Sequence, residues 1–367
     1  MKRLLSAGVC IVAIMALGVA VAVPEVASAD TIKIGAILAL TGNSAAQGQN
    51  IRDGLQLAVD EINKRGGVNG NRIELIVEDS KSDPQTGVEC FNRIETAQSP
   101  LLYVSQLSSV SMALAPLAEE KRVVLEGIIT TAIDLTRGRE WVFRYWPLGQ
   151  AYVPPLMRIL QDLKVKKLGI LYQNDEFGRE QNQLLSKEYE GAGGTVSSAL
   201  IEMKDTDYRQ KIAAVKDREA IYVAGSGTIL LGVLRQLKEA SYRGSILTPA
   251  SAAQPDLISL HEADGIYIAA PIIYNPNYLY AKDVGEKFEA RYKRALDWYA
   301  AVGYDIIKLL AGLLEDRQIS RQGVREMLEG GFEYSGVFGH LRVRPGEHDL
   351  TFPLFPAQVV NGAIKYR

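Results

Sequence analysis

Thr31-Ile32-Lys33-Ile34-Gly35-Ala36-Ile37-Leu38, with the segment that follows it, decides the reading of the fold. The run is apolar nearly throughout, as a strand covered on both faces must be. Thr41-Gly42-Asn43-Ser44-Ala45-Ala46-Gln47-Gly48 is then a loop, and Ile51, Leu55, Ala58, Val59 and Ile62 recur at helical spacing. Gly66-Gly67 ends that helix, because glycine accepts the left-handed geometry of a C-cap. Ile73 to Glu78 is a second strand, and Asp83-Pro84 opens a second helix with proline in its first turn.

The alternation continues outward. Leu101–Val104, Arg122–Leu125, Leu168–Tyr172, Ala220–Ala224, Ser245–Thr248 and Gly265–Ile268 read as further strands with helices between most of them. Strands alternating with helices imply parallel sheets covered on both faces. The rhythm breaks around Pro147, Pro154 and Pro155 and restarts near Lys167, which marks a passage from one α/β lobe to another. Helices from Lys282 to Arg294 and from Tyr299 to Leu314 are expected to return to the first lobe.

At the N-terminus Lys2 and Arg3 precede an apolar run from Val9 to Val23 and the small-x-small triplet Ala27-Ser28-Ala29. That three-part pattern is an export signal cleaved after Ala29. The other reading, a retained anchor, needs roughly 20 apolar residues and no cleavage site. The mature chain is expected to run from Asp30 to Arg367, long enough for two domains. The full sequence is close to neutral: 41 Lys and Arg stand against 43 Asp and Glu, with no basic block, so nucleic acid is not an expected partner. Only Cys90 remains after cleavage, so no intramolecular disulfide forms.

Catalytic and cofactor motifs are missing from the sequence. No phosphate-binding glycine loop and no nucleophile elbow occurs, and His261, His340 and His348 read as surface residues outside metal-ligand spacing. Neither enzyme activity, a cofactor nor a metal is expected. Two hydroxyl-rich loops do stand out. Leu107-Ser108-Ser109-Val110-Ser111 follows one strand and opens a helix, and Ile129-Thr130-Thr131-Ala132 follows another. Ligands of open parallel sheets sit at the carboxyl ends of strands, where free N–H groups and the helix dipole favour an anion. Ser and Thr are also ordinary N-caps, and both readings use the same residues. Trp141, Tyr145, Trp146 and Tyr152 flank the break between lobes, and Trp298 and Tyr299 open a later helix. Such aromatics either line a cleft or pack a core.

These residues carry a resemblance that covers the mature chain. Leu40-Thr41-Gly42, Ala58-Val59-Asp60-Glu61-Ile62-Asn63 with Gly66-Gly67-Val68-Asn69-Gly70, Asp83-Pro84, Leu107-Ser108-Ser109, Thr131-Ala132, Asp134-Leu135-Thr136, Phe177-Gly178 and Leu234-Arg235-Gln236 resemble the periplasmic branched-chain amino-acid-binding proteins, the type I solute-binding proteins of ABC transporters. The resemblance implies an α/β clamshell of two Rossmann-like lobes, each with a parallel central sheet, joined by three crossovers. Placed on this chain, the first lobe takes residues 30–148 and 275–347 and the second 149–274 and 348–367, with crossings near Leu148, Tyr274 and Glu347. It also implies a periplasmic monomer that delivers a small carboxylate-bearing ligand to ABC permease subunits. A sensory role uses the same clamshell.

For the site, the resemblance places Ser109 and Thr131 on the ligand carboxylate and the Ile129 carbonyl on an α-ammonium, with Thr130 in the same loop. Gln47, Gln150, Tyr152, Phe177 and Tyr299 fall at cleft positions. Ser226 stands where relatives carry a tyrosine, Ala250 where amino-acid binders carry an acid, and Ser82 and Ser108 where relatives often form a disulfide. An ammonium buried without a carboxylate partner costs several kcal/mol. The expected ligand therefore keeps its carboxylate and needs no ammonium, as an aromatic or short branched acid would, unless Asp256 or Glu262 supplies the charge.

Overall fold

The structure, a computed structural model, describes residues 31–272 and 278–367. The expected export signal and the crossing near Tyr274 lie outside the described residues. The first half builds β1 (Ile32–Leu38), α1 (Ala45–Lys64), β2 (Ile73–Asp79), α2 (Pro84–Gln98), β3 (Leu102–Gln106), α3 (Ser108–Lys121), β4 (Val124–Ile128) and β5 (Val142–Tyr145). A 3-10 turn at Gly149–Tyr152 leads into α4 (Val153–Asp162), β6 (Lys167–Gln173), α5 (Glu176–Gly191), β7 (Thr195–Ile201), α6 (Arg209–Ala213), β8 (Ala220–Ala224), α7 (Gly227–Glu239), β9 (Ser245–Pro249), α8 (Pro255–Ile258) and β10 (Tyr267–Ala270). The chain closes with α9 (Leu279–Tyr292), α10 (Trp298–Leu314), α11 (Arg321–Glu329), a hairpin of β11 (Phe332–Gly336) and β12 (Gly339–Val343), then β13 (Asp349–Leu350), β14 (Phe355–Val360) and β15 (Ala363–Tyr366).

Two sheets result. The first has the order β13-β5-β4-β3-β1-β2 and is parallel throughout. The second has the order β15-β14-β10-β9-β8-β6-β7, parallel from β10 to β7, with β14 and β15 added antiparallel. The chain first changes sheet between Tyr145 and Lys167, where the prolines break the rhythm. Its last change falls after Leu350, because Asp349 and Leu350 pair with Arg144 and Tyr145 of β5. The boundary expected at Glu347 therefore moves beyond β13.

The later helices do return to the first lobe. α10 lies against α1 so closely that a Cβ on Gly54 would overlap the Ala300 carbonyl oxygen, and one on Gly303 would overlap that of Ile51. Tyr292 Oη donates to the Asp53 carbonyl at 2.9 Å, and Arg321 grips Glu95 with two 2.9 Å bonds. Asp305, buried on α10, accepts from Tyr145 Oη at 3.0 Å, Tyr334 Oη at 3.1 Å and Val337 N at 2.7 Å, which ties the hairpin to β5. The aromatic pairing continues through the region joining the sheets: Trp146 meets Phe352 edge-on at 5.2 Å, and Phe352 stacks on Phe338 at 4.2 Å. His348 is no surface residue. It is half-buried, bonded to Glu329 at 2.7 Å and to the Val142 carbonyl at 2.9 Å.

Candidate functional site

The carboxyl ends of both parallel sheets face one another across one cavity. The first lobe contributes Gln47, Leu107, Ser108, Ile129 and Thr131, and the second contributes Gln173, Asp175, Phe177, Ser226, Pro249 and Ser251. Trp146 and Tyr152 enter from the first change of sheet, and Trp298 and Tyr299 from the start of α10. Every one of these comes from a strand end, a helix start or a crossing, where open α/β sheets place their ligands.

On the first-lobe wall, Leu107 occupies the N-cap position of α3 with no side-chain cap, so the first N–H groups of a 14-residue helix lack a side-chain acceptor. Leu107 and Ile129 both hold positive φ, 74° and 53°. An aliphatic residue in that region costs on the order of 1–3 kcal/mol, and such strain gathers at functional sites. Ser108 Oγ accepts from Thr131 N at 3.1 Å and lies 3.4 Å from Thr131 Oγ1, so the two loops meet through a pair of hydroxyls. Beneath them the buried Arg144 donates to the carbonyls of Thr130 (3.3 Å) and Ala132 (2.7 Å) and pairs with Asp349 at 2.9 Å. A cation thus sits under the hydroxyl wall without lining it.

Opposite, Gln173 Oε1 accepts from Ser226 N at 3.0 Å while its Nε2 donates to Asp175 Oδ2 at 2.6 Å. Asp175 also caps α5 by accepting from Gly178 N at 2.8 Å. Burial pushes its carboxyl up to about 6, against the Gly178 and Gln173 hydrogen bonds that hold it down. Among the lining residues it is the one acid, and Lys, Arg and His contribute nothing. The rest is aromatic: Trp146 and Trp298 lie 5.5 Å apart, Tyr299 is 5.3 Å from Trp298, and Trp146 Nε1 donates to Tyr152 Oη at 3.0 Å. Gln47 Nε2 and Trp298 Nε1 are buried donors without a partner among the described residues. Buried polar groups in folded proteins are nearly always satisfied, and both of these donors belong to residues that line the cavity.

The expected site residues divide. Gln47, Ile129, Thr131, Tyr152, Phe177, Ser226 and Tyr299 line the cavity. Ser109 does not; the lining hydroxyl is its neighbour Ser108, because α3 starts there and turns Ser109 about 100° away. Thr130 points back to Ser111 Oγ at 3.0 Å and the Ile128 carbonyl at 3.2 Å. Gln150 is exposed on the outer side of its 3-10 turn. Ala250 is buried in the turn after β9, which presents Pro249 and Ser251 instead. Glu262 faces Arg235 at 3.4 Å, and the side chain of Asp256 is outside the described ones. Reading β9 alone missed Asp175, whose signal was Asp175-Glu176-Phe177-Gly178, a helix start directly after a strand. Gln173 and Ser251 were missed as well.

The profile of the periplasmic binding protein family matches residues 31–363, and the chain belongs to that family. The Leu/Ile/Val-binding protein of Escherichia coli (strain K12) is 23% identical over 270 residues, 72% of this chain and 74% of its own. Among solved structures, the branched-chain amino acid transporter substrate-binding protein of Streptococcus pneumoniae in complex with isoleucine superposes with a TM-score of 0.84 at 22% identity, covering 92% of this chain and 98% of that one. An ABC-transporter solute-binding protein of R. palustris in complex with benzoate gives 0.83 at 19% identity, covering 92% and 95%. These likenesses establish the two-lobed binding-protein fold. Among the described residues no helix is long and apolar enough to cross a membrane.

Proposed function

We propose that the chain, exported by cleavage after Ala29, captures a small carboxylate-bearing solute between its lobes and delivers it to the permease subunits of an ABC importer. The observation that carries this is the first-lobe wall. Ser108 and the uncapped start of α3 offer donors to one anion, Thr131 positions Ser108 through its N–H, and Gln47 Nε2 and Trp298 Nε1 of the same lining stand buried with no partner among the described residues. An anion of modest size is held by such groups without a lysine or arginine in the lining. The aromatic and proline surfaces give the rest of the solute an apolar bed.

Asp175 alters the expectation drawn from Ala250. The second-lobe wall has an acid after all, entering from the β6–α5 loop instead of from the end of β9. A zwitterionic amino acid fits by facing Asp175 with its ammonium. An aromatic or branched acid without nitrogen fits when Asp175 is protonated, which its raised pKa makes accessible. The relatives' ligands, isoleucine in one and benzoate in another, support both classes. Calorimetric titration of the mature chain with leucine, valine, benzoate and cinnamate at pH 7 tests the reading. Saturable binding of at least one of them is expected; binding only of solutes without a carboxylate would overturn it.

A further inference from the structure

The two walls are also joined by direct hydrogen bonds at the rim, and these form an unusual helix cap. Helix α7 begins at Gly227, with Ser226 at its N-cap position. Serine there normally accepts from the second or third N–H of the helix. Ser226 does not: no side-chain cap is made, its N–H is bound to Gln173, and its side chain lines the cavity. The N–H groups of Thr228 and Ile229 are satisfied from the other lobe. Thr228 N donates to the Asn43 carbonyl at 3.1 Å. Ile229 N donates to Asn43 Oδ1 at 3.1 Å, and Thr228 Oγ1 to the same oxygen at 2.8 Å.

The surroundings are shaped for this contact. Gly227 has φ +54°, and a Cβ there would overlap the Asn43 carbonyl oxygen, so only glycine admits the approach. On the other side Asp79 Oδ1 accepts from Leu40 N at 2.9 Å and Thr41 N at 3.1 Å, which anchors the loop that carries Asn43. Each half of the contact adjoins the cavity: Asn43 lies one helical turn before Gln47, and Gly227 directly follows Ser226.

We infer that Asn43 is a closure latch that caps α7 of the second lobe only when the two lobes are shut. Opening removes all three bonds at once and leaves the Thr228 and Ile229 amides to water. Closing restores them and holds Gln47 and Ser226 at the spacing that encloses the solute. Asn43 touches no solute; it is a positioning residue that sets how long the closed form lasts. The link to affinity rests on the solute-binding reading above, whereas the latch is testable without it.

The test is hydrogen exchange of the Thr228 and Ile229 amides in the mature chain, for wild type, Asn43→Ala and Asn43→Asp, with no solute and with saturating leucine or benzoate. Asn43→Ala removes the side-chain acceptor of two bonds, each worth about a factor of five, so exchange at Ile229 should quicken roughly tenfold or more while β8 amides stay unchanged. Asn43→Asp keeps the acceptor and adds a charge suited to a helix start, so it should restore protection. Dissociation of whichever probe binds, followed by the fluorescence of Trp146 and Trp298, should quicken by a similar factor in Asn43→Ala. Gly227→Ala should mimic Asn43→Ala. Identical exchange in solute-saturated wild type and Asn43→Ala overturns the latch. Failure of both probes to bind wild type counts against the proposed ligand class instead, and the exchange comparison on the chains as purified, with the solute they retain, then decides the latch.

Discussion

Replacing Ser108 and Ser109 by alanine, one at a time, separates the geometry of this wall from a reading one residue out of register. Ser108 is 4% exposed, accepts the Thr131 N–H and adjoins the Thr131 hydroxyl. Ser108→Ala leaves that N–H short of an acceptor and removes a hydroxyl that lines the cavity. Leaving a buried group unsatisfied costs about 1–3 kcal/mol, and a hydrogen bond to a charged group is worth a similar amount. The expected loss of affinity is therefore about 10- to 100-fold. Ser109 is not among the residues that line the cavity, and its replacement should change binding by less than about 0.5 kcal/mol. Calorimetry with the tightest of leucine, valine, benzoate and cinnamate measures both, and thermal unfolding of the unliganded variants shows how much of the Ser108 effect is stability. A larger loss for Ser109→Ala than for Ser108→Ala would refute the argument from helix phase.

Asp175, raised to about 6, should make affinity depend on pH in a direction that names the ligand class. A solute with an ammonium needs the ionised form and should bind more weakly as pH falls through 6; a plain acid should bind more tightly over the same range. Asp175→Asn, which can still cap α5, should flatten either profile between pH 5 and 8. Glu126, buried in β4, is pushed up to about 8 by burial first and by the Asp349 carboxylate second. The folded chain keeps this proton where the unfolded chain has lost it, so stability should decline as pH rises from about 4.5 to 8. Glu126→Gln should then raise the melting temperature at pH 8.5, by at most a few kcal/mol in stability, with little change at pH 5. Gly54→Ala should destabilise by about 2 kcal/mol, the overlap with the Ala300 carbonyl outweighing the roughly 1 kcal/mol better helix propensity of alanine. Unchanged urea denaturation would show that α1 and α10 separate easily.

Most of the scaffold was legible because buried parallel strands write themselves as apolar runs. β1, β3, β8 and β9 fall within a residue or two of their expected ends, and Ala220–Ala224 matches throughout. β5 was not legible: Val142-Phe143-Arg144-Tyr145 carries a buried arginine whose partner, Asp349, lies far along the chain. β7 is an edge strand with polar positions, and the short strands after Phe332 have no helices between them to set a rhythm. At the site the sequence located the loops but not the side chains that face inward. Which serine of Leu107-Ser108-Ser109 turns to the cavity depends on a positive φ at Leu107, which spacing does not encode. Ala250 was chosen over Ser251 for want of the tight turn after β9. Asp175 caps α5 as well as lining the cavity, and an acid at a helix start carries no mark in the sequence of a cleft position.

The central claim, one carboxylate-bearing solute held between the lobes, is tested most directly by mass spectrometry of the mature chain under native and then denaturing conditions. The account predicts a single small molecule per chain, released on denaturation and bearing a carboxylate, with occupancy sharply reduced in Ser108→Ala and Thr131→Ala. A retained molecule without a carboxylate, or one whose occupancy both variants leave intact, would contradict it.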